Sequence, residues 1–225
     1  MKSIFKNDLR NHATIGDQIT ENIRNQILRG DLRPEGSLKQ DLLAQQFGVS
    51  VGIIREALKN LEGEGLLEFI PNKGAHIRSL SSREALDIFD LRLLLESEAL
   101  YRSLPSLGEE DFFILEGMLD EEEFCFDPIL YNTLNCQYHM QLYKYCGNAK
   151  LLDTIKELND SVARYMIMYL AELKQKDVSQ NEHRQLLEAC RAKDKRAAKT
   201  ILKKHMQSAG KALAAYLKQT EKSEK

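Results

Sequence analysis

The chain has 225 residues, 43% hydrophobic and 29% charged, with a net charge of −2, the make-up of a globular protein with room for two modest cores. No stretch approaches the roughly 20 uninterrupted apolar residues of a membrane span; "MKSIFKNDLRNH" sets Lys6, Asp8 and Arg10 where a secretory leader needs an apolar run, so a cytoplasmic chain with no membrane partner is expected. Residues 1–80 hold 11 Lys and Arg against 10 Asp and Glu, and the rest 21 against 24, so any affinity for nucleic acid rests on local placement of basic groups.

From Ile15 to Arg29, Ile19, Ile23 and Ile27 recur every fourth residue, which predicts a helix with one apolar stripe, closed by Gly30. "LRPEGSL" is loop, with Pro34 and Gly36 as punctuation. Asp41 to Phe47 predicts a short second helix ending at Gly48. Ser50 can cap a third, whose buried stripe is Ile54, Leu58 and Leu61, ending at Gly63 and Gly65. "LLEFI" and "AHIRS" predict two strands around "PNKG", a hairpin whose Gly74 can take a positive φ.

Beyond a linker near residues 77–82 the pattern is helical throughout. Six helices are expected: Ser82, as cap, to Arg102; Gly108 to Glu122; one capped by Asp127 with Pro128 in its first turn and ending at Gly147; Asn148 to about Lys176; Ser179 to about Ala192; and Asp194 to about Gln219, with "KQTEKSEK" as a frayed tail. Cys125, Cys136, Cys146 and Cys190 form no C-x-x-C pair and read as reduced core thiols. The fold class is mainly α: a winged helix-turn-helix over residues 1–78 and an all-α antiparallel bundle over 79–225.

In a helix-turn-helix the second helix of the motif enters the major groove by its N-terminal residues. With Ile54 and Leu58 turned inward, Ser50, Val51, Gly52, Arg55 and Lys59 fall on the groove side, and the guanidinium of Arg55 has the fork geometry for phosphate or guanine. The competing reading is a helical hairpin in a protein interface with Arg55 paired to Glu56 or Glu62. In the second half, His139 shares a stripe with Asn135, Leu142 and Cys146; His183 precedes Leu186, Leu187 and Cys190; His205 sits with Leu202, Ala209 and Ala212. Three imidazoles on the apolar faces of three helices can converge on one divalent metal, zinc first and nickel as the alternative, or stand as three separately hydrogen-bonded core histidines.

"ILRGDLRPEGSLKQDLLAQQFGVSVGIIREALKNLEGEGLLEFIPNKGAHI" resembles the N-terminal winged helix of the GntR superfamily of bacterial transcription regulators, with Ala44, Gly48, Val49, Ser50, Arg55, Glu56, Ala57, Leu58, Leu61, Gly65, Leu66 and Gly74 in pattern. Two departures stand out: Val51, Gly52 and Ile53 replace the usual arginine, threonine and proline, and Glu35 intervenes between Pro34 and Gly36. The resemblance implies that Arg55 contacts DNA in the major groove, that Lys73 and Gly74 at the wing tip approach the minor groove, and that Lys39 meets phosphate. "LNCQYHMQLYKYCGN", "EHRQLLEACRAKDKRAA" and "KKHMQ" resemble the FCD effector-binding domain of FadR- and VanR-type members, over roughly residues 82–215. Six helices place it nearer the VanR type. In metal-binding members the ligands are an aspartate and three histidines, which map to Asn135, His139, His183 and His205; here Asn135 brings an amide oxygen without the charge.

What the resemblance implies for function is a homodimeric repressor on a near-palindromic double-stranded DNA operator, released by a small carboxylate or sugar acid held by Arg92, with Arg164 and Tyr165 as further effector contacts. Arg92 has a plainer role open to it, an ion pair with Glu96 four residues on. The alternative from another class is a metal-dependent hydrolase using the three histidines, against which no carboxylate base stands beside them as in H-E-x-x-H. A third is an adaptor that binds protein instead of DNA.

Overall fold

The computed structural model describes residues 14–32, 37–173 and 176–223. The expectations for "MKSIFKNDLRNH", for Pro34 to Gly36 and for the last two residues lie outside these. The isoleucine stripe makes helix α1, Ile15–Arg29: Thr14 caps it by accepting from Asp17 N while the Asp17 carboxylate accepts from Thr14 N, and Gly30 closes it at φ 79°. Helix α2 is Gln40–Phe47, ending at Gly48 with φ 66°, a left-handed backbone that a side chain resists. Helix α3, Val51–Gly63, follows after three residues, with Ser50 as its cap. Strands β1 (Leu67–Ile70) and β2 (Gly74–Ile77) form an antiparallel hairpin in the register Leu67↔Ile77 to Ile70↔Gly74. Its turn uses positive φ at Gly74 and also at Asn72. A single bridge from Leu38 to Ala75 ties the segment before α2 to this wing. Ile23, Ile27, Ile54, Leu58 and Leu61 are wholly buried and form the shared core of these elements.

Six further helices follow: α4 (Ser82–Ser103), α5 (Glu109–Phe124), α6 (Pro128–Tyr143), α7 (Ala149–Leu173), α8 (Lys176–Arg191) and α9 (Lys195–Ser223). The cap of α4 is Ser81, whose hydroxyl accepts from Glu84 N, not Ser82, which is the first helical residue. Asp127 caps α6 as expected, accepting from Ile129 N and Leu130 N ahead of Pro128. Asp194 accepts from Arg196 N and Ala197 N at the start of α9, which continues to Ser223 where fraying was expected from Lys218.

Helices α4 and α9 lie along each other at the centre of the bundle. Their closeness depends on Gly210: a Cβ there would stand 2.8 Å from two carbons of the Phe89 side chain. Helix α8 packs on α9 and α5, α6 on α5 and α7, and Tyr131, Tyr138, Tyr143 and Phe112 are among the largest fully buried side chains. Helix α7 also reaches α1, and its Ile167 is buried in the first core. No described helix is long and apolar enough to cross a membrane.

Candidate functional site

On the winged helix, Lys39, Val51, Arg55, Lys73 and Gly74 line one shallow cleft between the start of α2, the start of α3 and the hairpin tip, together with the acidic Asp41. Arg55 is exposed, and its Nε donates to Gln40 Oε1 at 3.2 Å, which holds the guanidinium over the junction of the two helices. Ser50 spends its hydroxyl on the cap, accepting from Ile53 N at 3.4 Å. Gly52 is exposed, and a Cβ there would meet only Ser50 Oγ, at 3.7 Å, so no packing demand keeps this position small. Lys59 is exposed one turn beyond Arg55, outside the cleft. The first N–H groups of α3 and these basic side chains together make a surface that can hold a phosphate chain.

Inside the bundle, His139 of α6, His183 of α8 and His205 of α9 are all buried, with one ring nitrogen from each lying within 4.8 Å of the others. Each ring is held from behind. His139 Nδ1 lies 3.2 Å from the Tyr143 hydroxyl, which donates to Glu96 at 2.8 Å; His205 Nδ1 lies 3.1 Å from Glu182; His183 Nδ1 lies 3.4 Å from Glu122. With acceptors behind the Nδ1 atoms of His139 and His205, the network assigns the protons there and turns those two Nε2 lone pairs inward, toward His183, whose Nδ1 faces Glu122 without a hydrogen bond. His183 Nε2 and His205 Nε2 are 3.2 Å apart, and His139 Nε2 has no hydrogen-bond partner.

Buried ring nitrogens that face one another repel unless a proton or a cation lies between them. Two nitrogens about 2.0–2.1 Å from one tetrahedral ion stand about 3.3 Å apart, close to the 3.2 Å between His183 and His205, with all three histidines within 4.8 Å. Burial, then the neighbouring imidazoles, hold His139 well below the ordinary histidine range, and burial foremost lowers His205, so both are neutral and fit to ligate. The donor set therefore fits a divalent ion, with Glu96, Glu122 and Glu182 as the carboxylates that orient and strengthen the ligands.

Asn135 does not complete this set as drawn. Its amide nitrogen lies 3.2 Å from Glu122 Oε1 and 3.4 Å from His183 Nε2; turning the oxygen inward would set it against the Glu122 carboxylate. Glu122, fully buried, also accepts from Gln180 at 2.7 Å, so its charge is shared among three neighbours.

A cavity of about 250 Å³ opens beside the histidines, with His205, Arg92, Asn135 and Asn159 in its wall. Arg92 takes the ion pair with Glu96, Nε to Oε1 at 2.8 Å, and still faces the cavity, where its Nη2 reaches the Met206 sulfur at 3.9 Å. Cys136 lines the same wall as a protonated thiol, pushed up to about 11 by burial.

Arg164 and Tyr165 do not line this cavity. Both turn to the other face of α7, toward the winged helix: Arg164 Nε donates to Ile27 O at 3.1 Å, in the last turn of α1, and the Tyr165 hydroxyl donates to Arg78 O at 2.8 Å and accepts from Leu80 N at 3.0 Å. A buried guanidinium on the carbonyl end of α1 is favoured by the helix dipole as well as by the hydrogen bond. Both residues are expected from the sequence to meet the effector; the structure puts them in a clasp between the bundle and the DNA-facing half. Helix α7 is thus cavity wall on one side, through Asn159, Val162 and Met166, and clasp on the other.

The residues whose role sequence reasoning missed are the carboxylates and Tyr143. Tyr143 stands four residues after His139, a spacing that puts both on one face; Glu122 and Glu182 act on histidines of other helices, which no local spacing reveals.

Comparison with known proteins bears on the family and the fold. The model of the FCD domain matches residues 87–208, and that of the bacterial regulatory proteins of the gntR family matches residues 15–77. The HTH-type transcriptional repressor GlaR of Escherichia coli is 28% identical over 195 residues, which cover 82% of this chain and 89% of GlaR; the regulator YdhC of Bacillus subtilis is 29% identical, covering 84% and 86%. A GntR-family regulator from Pseudomonas syringae pv. tomato superposes with a TM-score of 0.60 at 31% identity, covering 93% of this chain and 89% of that one. McbR/YncC of E. coli shares the fold at a TM-score of 0.70 and 21% identity, covering 93% and 100%.

Proposed function

Because the chain belongs to the gntR family of bacterial regulatory proteins and carries an FCD domain, which makes it a transcription regulator and not an enzyme, we propose that it is a homodimeric repressor of a near-palindromic operator, released by a small carboxylate or sugar acid. The hydrolase alternative has no support among its relatives. The observation that carries the proposal is the position of α7, whose one face lines the cavity beside the histidines and whose other face clasps α1 and the strand-to-helix linker.

In this reading residues 1–78 grip DNA, through Arg55 and the start of α3 in the major groove and Lys73 and Gly74 at the minor groove, with Lys39 and Lys59 on phosphates. Residues 79–225 hold the effector and the twofold contact. The cytoplasm, where the DNA is, is the place of action. His139, His183 and His205 would hold a divalent ion, zinc first and nickel as the alternative. The ion would supply a fixed positive charge for an effector carboxylate. Asn135, whose nitrogen faces the cluster, leaves the set at three histidines and the site weaker than one with an aspartate. Arg92 would share the carboxylate through its Nη groups while Glu96 holds its Nε. Binding that favours one placement of α7 over another changes the placement of the two winged helices, and only such a difference in affinity can move the equilibrium.

The test is footprinting of the purified protein on genomic fragments, followed by a screen of carboxylates and sugar acids for release, with and without chelator. Retention that falls steeply with salt is expected. Salt-insensitive retention, or binding to no fragment, would remove the DNA-binding reading.

A further inference from the structure

We propose that the occupant of the cavity is a monocarboxylate with an apolar body, of about ten non-hydrogen atoms in all. This rests on the carboxylate reading above and narrows it away from sugar acids. The size follows from the volume: a dry cavity of about 150 Å³ takes the six carbons of benzene, and the 250 Å³ here scales to on the order of ten atoms.

The polarity follows from how the walls are graded along their length. Helices α7 and α9 both line the cavity, and Tyr169 of α7 rests on Tyr216 of α9 with ring centroids 6.0 Å apart. Asn159 stands ten residues before Tyr169 and His205 eleven before Tyr216, so both lie away from that contact, while Val162, Met166, Ala209 and Ala212 lie nearer to it. Arg92 reaches Met206 from α4 and so belongs to the same end as Asn159; Phe89, one turn earlier on α4, packs at Gly210. One end of the cavity therefore gathers Arg92, Asn135, Asn159 and His205. Beyond it the walls are Phe89, Val162, Met166, Leu170, Ala209 and Ala212.

Val162, Met166 and Leu170 are spaced by four, so α7 presents one continuous apolar stripe to whatever lies in the cavity. Of the other polar wall residues, Glu182 is taken by His205 at 3.1 Å and Lys204 at 3.3 Å, the Tyr131 hydroxyl is engaged by Ser179 and Gln180, Tyr169 packs on Tyr216, Asn132 is half-buried and Ser208 is exposed. A polyol lying along the stripe would leave hydroxyls without partners, each lowering affinity between about fivefold and 150-fold. An alkyl or aryl body gains there instead, about fourfold for each methylene removed from water.

Titration calorimetry of the full chain tests this with propanoate, pentanoate, octanoate, octan-1-ol and gluconate as probes. Affinity is expected to climb about fourfold per methylene from propanoate to octanoate, with gluconate and octan-1-ol each at least tenfold weaker than octanoate. Met166→Gln, at a half-buried position on that stripe, should flatten the climb, with a loss that grows from propanoate to octanoate. Gluconate binding as tightly as octanoate would overturn the inference and leave the carboxylate site standing. Octan-1-ol matching octanoate, or no probe binding, would overturn both. A climb that survives Met166→Gln undiminished would mark octanoate as binding elsewhere and overturn the inference alone.

Discussion

At the scale of single residues, the start of α3 pairs a retained arginine with lost neighbours. Arg55→Ala should lower operator affinity by about 5- to 150-fold, the discrimination of one bidentate contact, measured by gel shift at fixed salt. Val51→Arg restores the residue usual in the family at a half-buried cleft position; it should tighten binding and steepen the slope of log affinity against log salt by about one. An unchanged slope would show that position 51 does not face the backbone. Among the histidines, His139 and His205 are held neutral by burial, so the unfolded chain takes up protons that the folded chain refuses once pH falls below the ordinary value of 6.5. Stability of metal-free protein should be complete above that pH and decline below it, by up to about 1.4 kcal/mol per pH unit for each histidine, as urea midpoints would register. A bound ion should push the decline to lower pH, because protons must then displace it.

At the scale of elements, α7 is the piece that belongs to both halves. Arg164→Ala removes a buried charged hydrogen bond to the end of α1, worth about 1.5–3 kcal/mol, and Tyr165→Phe removes both linker hydrogen bonds at little cost in volume. Each variant should still bind effector and operator separately while losing most of the coupling between them, read as the ratio of operator affinities with and without effector. Full coupling in both would exclude α7 as the route. The pairing of α4 with α9 has its own weak point: Gly210→Ala drives a methyl into Phe89 and should cost about 1–3 kcal/mol, seen as a lower melting temperature. The order and type of the elements were legible beforehand because each carries its own start and stop, such as Thr14, Asp127 and Gly48, and each apolar stripe has the helical period. Arg164 and Tyr165 were misplaced for the opposite reason. Periodicity tells which face of α7 a residue occupies, not whether the cavity or α1 lies against that face.

For the whole molecule, the histidine cluster, the adjoining cavity and the clasp between the two cores are the parts through which the proposed effector would act on the operator. Two copies on a near-palindromic site require an isologous contact, so light scattering at micromolar concentration should return about twice the chain mass, and a monomer there would force a different operator geometry. Replacing His183, with Asn135 and Glu122 untouched, should abolish bound zinc in metal analysis of the dialysed protein and leave the operator contact at the other end in place.

The sequence by itself determined what is local: the helices and the hairpin with their caps, the inward stripes, the exposed Arg55, and the fact that each of three histidines lies on a buried face. Which Nδ1 meets which carboxylate, that the Asn135 amide is taken by Glu122, and that Arg164 reaches Ile27 across 137 positions were decided only when the helices packed. The reason is physical. Helical periodicity fixes direction about one axis, whereas a hydrogen bond between helices depends on the rotation and register of two axes, which the summed packing of the core sets.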